Sequence, residues 1–548
     1  MTDTAPLTAD TAPASGRAAL ARSGVAMATG TLASRGTGFI RTVVIAYALG
    51  VGGVNNAYTV ANTVPNALYD LLLGGVLSAL VVPLLVQAAH DDADDGEAFA
   101  QRLITIVAVV LTAVAILAVL IAPWVISAYA HNARPAQKAL AVTFARFFLP
   151  QLLFYGLGAV LGAILNIRGS FVAPMWAPVL NNLVVIGCGI SFAVITHSPP
   201  RPGHLSHAQI LVLAIGTTAG VVVQTVALLP ALRQVGLRLK ARWDWGQAGL
   251  RRAGPFAGWV LGYVITNQLG YVVISDLAEA IDHGRGELAI YSYGYLLFSL
   301  PYAVVAVTVI TALFPAMSRS GTAGDDAAVA QTLSEGLSLA GVVLVPATLL
   351  MVVLGPPIAV LVLAHGQTTH AGAALTGRVL IAFAAGLVPF SAFQMQLRAW
   401  LAVHDSRTPM LVNLWITALN LAADVLLYAV LPSGDRVVGL AAGYSISYAV
   451  GTVVFAVKLR RRLVATQRTF VIRTHVRLIV AALLAAVPTE LLSLAIRRGV
   501  GTGTGGSLAA IAVAAPAGIA TFLLVVRRMR VPELGQLVAL LPIGRFRA

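Results

Sequence analysis

Runs of about twenty apolar residues recur along almost the whole chain. A hydrocarbon layer of about 30 Å takes about 20 residues of helix to cross. Within it only a helix or a closed barrel satisfies every backbone N–H and C=O. Of 548 residues, 58% are hydrophobic and 10% charged, with mean hydropathy +0.86, against about 25% charged in soluble proteins. The chain therefore reads as an all-α polytopic membrane protein. Counting the runs places about fourteen spans, near 24–50, 57–88, 103–130, 138–165, 171–196, 208–232, 253–281, 287–317, 328–363, 375–403, 409–431, 437–457, 475–496 and 506–527.

The net charge of +15 raises the question of nucleic acid, and the placement of the charges answers it. Two-thirds of the 36 lysines and arginines fall on one side of the predicted spans, concentrated in the loop from Arg233 to Arg252, the stretch from Lys458 to Arg477 and the C-terminal tail. Such a bias marks the cytoplasmic side. It places both termini there and makes the charge a topology signal with no nucleic-acid partner. Residues 1–23 read as a disordered tail rather than a cleaved signal. Cys188 is the sole cysteine and lies in an apolar run, where it reads as a small buried hydrophobe; there is no disulfide framework.

A weak internal repeat appears as Pro150, Asn166, Arg168 and Asn181, matched by Pro389, Asp405, Arg407 and Asn420 at a constant offset of 239. That offset equals six spans. It divides the chain into a cytoplasmic tail (1–23), a six-helix half (24–232), a basic loop (233–252), a second six-helix half (253–457), a basic loop (458–474), two additional helices (475–527) and a tail (528–548). Transporters are often built as two such pseudo-symmetric halves with the substrate between them.

A charge at mid-bilayer costs about 2.5–3.5 kcal/mol on insertion scales and marks a cavity or a partner. Arg35, Arg41 and Asp70 lie within the first two spans, among glycines and the asparagines Asn55, Asn56, Asn62 and Asn66. This helix pair is expected to line the path of an anion. A guanidinium suits phosphate or pyrophosphate, which it binds through two parallel hydrogen bonds; the plainer reading of Arg35 is a structural arginine. Arg41 and Asp70 are placed to form a gating or structural ion pair. Asp424 is a candidate cation-coupling site, or a carboxylate satisfied by Asn420 and a hydroxyl. Arg398, near a span end, reads chiefly as snorkelling, with substrate contact as the alternative. Tyr291, Tyr293 and Tyr295 read as an interfacial belt, with sugar stacking as the alternative. No HExxH, no other metal-ligand spacing and no GxxxxGK[ST] loop occurs, so no enzyme, metal, cofactor or nucleotide-driven pump is expected.

Several segments together resemble the MurJ/MviN lipid II flippases of the multidrug/oligosaccharidyl-lipid/polysaccharide exporter superfamily. They include SRGTGFIRTVVIAYALG, NAYTVANTVPNALYDLLLGGVLSALVVPLL, APMWAPVLNNLVVIG, LLFSLPYAVVAVTVITALFPAMSR and VGLAAGYSISYAVG. The resemblance implies transport of undecaprenyl-pyrophosphate-linked disaccharide-pentapeptide to the outer leaflet of the plasma (inner) membrane by alternating access. It also implies a cationic central cavity, with cell-wall synthesis proteins as possible partners. Arg35 and Arg41 match the family's two first-span arginines. Tyr69-Asp70, Gly74-Gly75 and Tyr295-Leu296 stand where the family carries Arg-Arg, Glu-Gly and Asp-Arg. Either the pyrophosphate is bound by Arg35, Arg41 and the neutral donors Asn62, Asn66, Asn267 and Gln268, or the cargo differs: another polyprenyl-linked saccharide, or a drug exchanged for a cation. A non-transporting cell-wall scaffold is the remaining class.

Overall fold

The structure, a computed structural model, describes residues 14–71, 85, 88, 94, 96–243, 254–281, 286–463 and 468–531; the side chains of 14–28, 68–71, 254–257, 260 and 468–470 are not described. The described residues contain no strand. In chain order the helices are α1 (Ala14–Leu49), α2 (Gly53–Leu71), α3 (Glu97–Tyr129), α4 (Pro135–Phe148), α5 (Gln151–Ile167) and α6 (Val172–Ile195). Next come α7 (His207–Val226), α8 (Leu229–Gln234), α9 (Gly254–Ala280), α10 (Glu287–Pro301), a π turn (Tyr302–Ala306) and α11 (Val307–Thr322). The chain continues through α12 (Asp326–Leu363), α13 (His370–Ala384), α14 (Leu387–Ala402), α15 (Arg407–Val430), α16 (Arg436–Arg462), α17 (Arg468–Val500) and α18 (Thr504–Arg528). α1 begins at Ala14, inside the segment expected as a tail.

Ten helices or joined pairs among the described residues are long and apolar enough to cross a membrane, eleven with α13 and α14, which meet at 50°. The three expected spans outside that set, 24–50, 57–88 and 253–281, hold α1, α2 and α9. Each spends part of its length on polar side chains: Arg35 and Arg41 on α1, four asparagines on α2, and Asn267, Gln268, Asp276 and Glu279 on α9. The second half of the 57–88 run lies outside the described residues.

Helix pairing repeats along the chain. α1 packs on α6 as α9 does on α15, α2 on α4 as α10 does on α13, and α6 on α7 as α15 does on α16. α17 and α18 pack on each other and on α12, sharing a small core of Val342, Val345, Leu478, Ala481 and Phe522. Cys188 is half-buried, with Gly216 of α7 packed against it.

Two broken helices are held in the same way. Pro150 has no N–H to donate to the Arg146 carbonyl and interrupts α4–α5; beside the break the Phe147 carbonyl takes a hydrogen bond from the Thr218 hydroxyl at 2.7 Å. One turn pair further on, Thr225 reaches the Phe154 carbonyl at 2.8 Å. At the α13–α14 break Gly386 N–H bonds Phe383, and the Ala382 carbonyl takes the Ser445 hydroxyl at 2.7 Å, with Thr452 on Pro389 at 2.6 Å. Both pairs of hydroxyls are seven residues apart, as are their acceptors, which is two helical turns on one face. In lipid a freed carbonyl has no water to turn to. Thr218→Val should therefore cost about 0.5–1.5 kcal/mol, the range measured for hydrogen bonds between membrane helices. Thermal unfolding in detergent would show this, and an unchanged midpoint would contradict it.

Candidate functional site

Helices α1–α8 meet α9–α16 in a polar seam at one end of the bundle. The Ala46 carbonyl accepts from Thr368 Oγ1 at 2.7 Å and the Tyr47 carbonyl from Gln367 N at 2.9 Å. Asn56 Oδ1 accepts from Ala289 N at 2.9 Å, and Asn55 donates to the Tyr293 hydroxyl. Gln137 Nε2 donates to Glu279 at 2.7 Å, and Asn132 bonds Asp276 through both its backbone and its side chain, the latter at 3.0 Å. Gly286, at φ 125°, lets the turn before α10 press onto the Val51 backbone, where a Cβ would collide. The opposite end of the bundle carries the described basic joins, among them Arg168, Arg233, Arg238, Arg319 and Arg407.

Beneath the seam lies a cavity of about 1140 Å³, larger than the ~300–1,000 Å³ of ordinary small-molecule sites. Its walls follow from helical spacing. On α2, Asn55, Thr59, Asn62, Thr63 and Asn66 fall at i, i+4, i+7, i+8 and i+11 and all line it, while Val54, Ala57, Val60, Ala61 and Val64 are buried behind. α9 contributes Asn267 and Gln268, and α14 contributes Gln394 and Arg398 one turn apart. Arg41 and Arg398 are the charged side chains of the wall among the described residues, and no carboxylate lines it. Neither arginine has a carboxylate partner there; Arg398 lies over the Phe314 ring at 5.9 Å.

Five of the six expected binding residues, Arg41, Asn62, Asn66, Asn267 and Gln268, thus share one cavity. Asn267 is also tied to α15, its Oδ1 accepting from Asn413 at 3.1 Å. Arg35 is not part of the cavity wall. It is exposed and within electrostatic range of Tyr302. Six residues turn a helix by about 600°, so Arg35 and Arg41 leave α1 on different faces, a separation that their shared span conceals. The Asp70 side chain lies outside the described residues, and the expected Arg41–Asp70 pair with it, as do the side chain of Tyr69 and both Gly74 and Gly75. Asp424 is fully buried behind the wall. Asn420 Nδ2 donates to its Oδ2 at 2.7 Å, Oδ1 has no partner, and Gly443 of α16 packs where a Cβ would strike it; no hydroxyl completes the set.

Two expectations are corrected. Tyr291 and Tyr293 do not form an interfacial belt: they are 4% and 5% exposed, because α10 runs inside the bundle against α2, α13 and α16. Arg398 does not merely snorkel, since it lines the cavity. Its neighbour Gln394 at i−4 was the available signal, a polar pair on one helix face. The unpredicted wall residues Asn181 and Asn420 are the repeat-related asparagines, and both reach this cavity.

A family model described as lipid II flippase MurJ matches residues 45–504. A protein of Vibrio cholerae, described as a probable lipid II flippase MurJ, is 26% identical over 438 residues, covering 78% of this chain and 80% of that one. The lipid II flippase MurJ of Burkholderia cenocepacia is 25% identical over 463 residues, covering 83% and 87%. Among solved structures, a lipid II flippase MurJ in an inward closed conformation superposes with TM-score 0.73 at 18% identity, over 92% of this chain and 99% of that one. An inward-facing MATE-family multidrug resistance transporter of the MOP superfamily gives 0.64 at 15%, over 79% and 96%.

Proposed function

The chain belongs to the lipid II flippase MurJ family, and from that premise we propose that it carries polyprenyl-pyrophosphate-linked peptidoglycan precursor from the inner to the outer leaflet by alternating access. One observation carries the reading: a large cavity whose wall bears two arginines, a stripe of amides and no carboxylate among the described residues. A pyrophosphate needs paired guanidinium forks and neutral donors, and Arg41, Arg398, Asn62, Asn66 and Gln268 supply them. A drug/cation antiporter would need acidic groups at that wall.

The basic end faces the cytoplasm in this reading, so the seam closes the outer side and the cavity receives cargo from within. The repeated helix pairing and the matched hydroxyl clamps support two six-helix halves that rock against each other, followed by α17 and α18. The polar helices α1, α2 and α9, each with residues on the cavity wall, bring the spans to fourteen. Depleting the protein should stop lipid II from reaching the outer leaflet, as read by an external probe of the lipid. Undiminished exposure in cells without a second flippase would overturn the assignment.

Asp424 is the cation-coupling candidate in the same scheme, because a buried carboxylate with one open oxygen requires a partner. Asp424→Asn keeps shape and the Asn420 contact; it should lower transport at least tenfold and remove its dependence on the coupling cation. Transport by the variant with unchanged cation dependence would reduce Asp424 to a packing role.

A further inference from the structure

The cavity is chemically divided. Its cation and amide donors come largely from α1, α2, α9 and α14, whereas α9, α10 and α16 present a wall of tyrosines: Tyr263, Tyr295, Tyr444 and Tyr448 all line it. Tyr295 stands out within this wall. It is 37% exposed, whereas Tyr291 and Tyr293 on the same helix are buried. Its ring is wedged by Phe298 at 5.6 Å, by Phe383 edge-on at 5.6 Å and by Tyr444 edge-on at 5.8 Å. Tyr444 is in turn held by Tyr448 at 4.6 Å. The ring is locked by its neighbours while part of its surface remains open to the cavity.

We propose that this wall is a saccharide subsite with Tyr295 as its platform. The proposal rests on the flippase reading and names which part of the cargo the second half holds. A pyranose ring has an apolar face of C–H groups and a rim of hydroxyls. A fixed tyrosine matches it with an apolar ring and a hydroxyl at the edge, at low entropy cost because neighbours already fix its rotamer. Asn267, one turn from Tyr263 on α9 and part of the same wall, supplies an amide for sugar hydroxyls and N-acetyl groups. An organic cation, the other usual guest of aromatic walls, is disfavoured by Arg41 and Arg398 in the same cavity. The polyprenyl tail has no need of the site, since it is already solvated by lipid.

Binding of two lipids to purified full-length protein in nanodiscs separates the parts. The probes are undecaprenyl pyrophosphate and the same lipid extended by an N-acetylated disaccharide without peptide. The wild type should bind the disaccharide lipid about tenfold more tightly. Tyr295→Leu should lose that advantage while binding undecaprenyl pyrophosphate as before, which also reports that it is folded. Tyr295→Phe should keep most of the advantage. Equal wild-type affinity for the two lipids, or a Tyr295→Leu loss that falls on both alike, would overturn the subsite and leave the flippase reading standing. Failure of the wild type to bind either lipid would overturn both.

Discussion

Replacing Arg41 and Arg398 together by alanine is expected to abolish export while the protein still folds. Both side chains reach the cavity and neither has a carboxylate partner among the described residues, so among those residues their removal strands no buried counter-charge. A hydrogen bond to a charged group contributes about 1.5–3 kcal/mol, and each guanidinium offers two in parallel to a phosphate. Each single alanine variant should therefore weaken transport by about tenfold to a hundredfold, at about 1.4 kcal/mol per factor of ten. The double variant should fall below detection. Lysine at either position keeps the charge without the planar fork and should recover part of the activity. Arg35→Ala should cost less than either, because Arg35 leaves α1 on another face. Full export by the double variant, or a larger loss from Arg35→Ala alone, would remove the site assignment without touching the family membership.

The second large effect concerns the seam. Asn132 of the α3–α4 turn and Asp276 of α9 meet through two hydrogen bonds, on opposite sides of the boundary that alternating access must open. Cysteines at both positions, with the native Cys188 changed to alanine so that no third thiol competes, should cross-link under a mild oxidant or a short bifunctional maleimide. Cross-linked protein should cease to transport, and the disulfide form should recover on reduction. Cross-linked protein that exports at the uncross-linked rate would show that this seam need not part.

Much of the architecture was legible because a membrane reduces folding to a strong one-dimensional signal. A run of about 20 apolar residues has few other fates, and eleven of the expected spans coincide with helices or helix pairs that are long and apolar enough to cross. Spans 24–50, 57–88 and 253–281 were counted on length; their helices α1, α2 and α9 carry the polar side chains that line the cavity. The break at Pro150 was visible as a proline. The hydroxyls that make such breaks tolerable, Thr218 and Ser445, were not, because they lie 71 and 63 residues from their acceptors.

By itself the sequence determined the helical class, the charge bias between alternate joins and the presence of costly arginines and amides in the first two apolar runs. Those properties depend on composition and local spacing alone. Only the tertiary structure decided which of those groups share a cavity. Arg41 does and Arg35 does not, because six residues rotate a helix onto a different face. Arg398, 357 residues from Arg41 in the chain, joins the same wall, and Asp424 is withdrawn behind it. The tyrosines of α10 turned out to lie inside the bundle, because the side of a helix that meets lipid depends on the neighbours packed against it, and those neighbours lie far away in the chain.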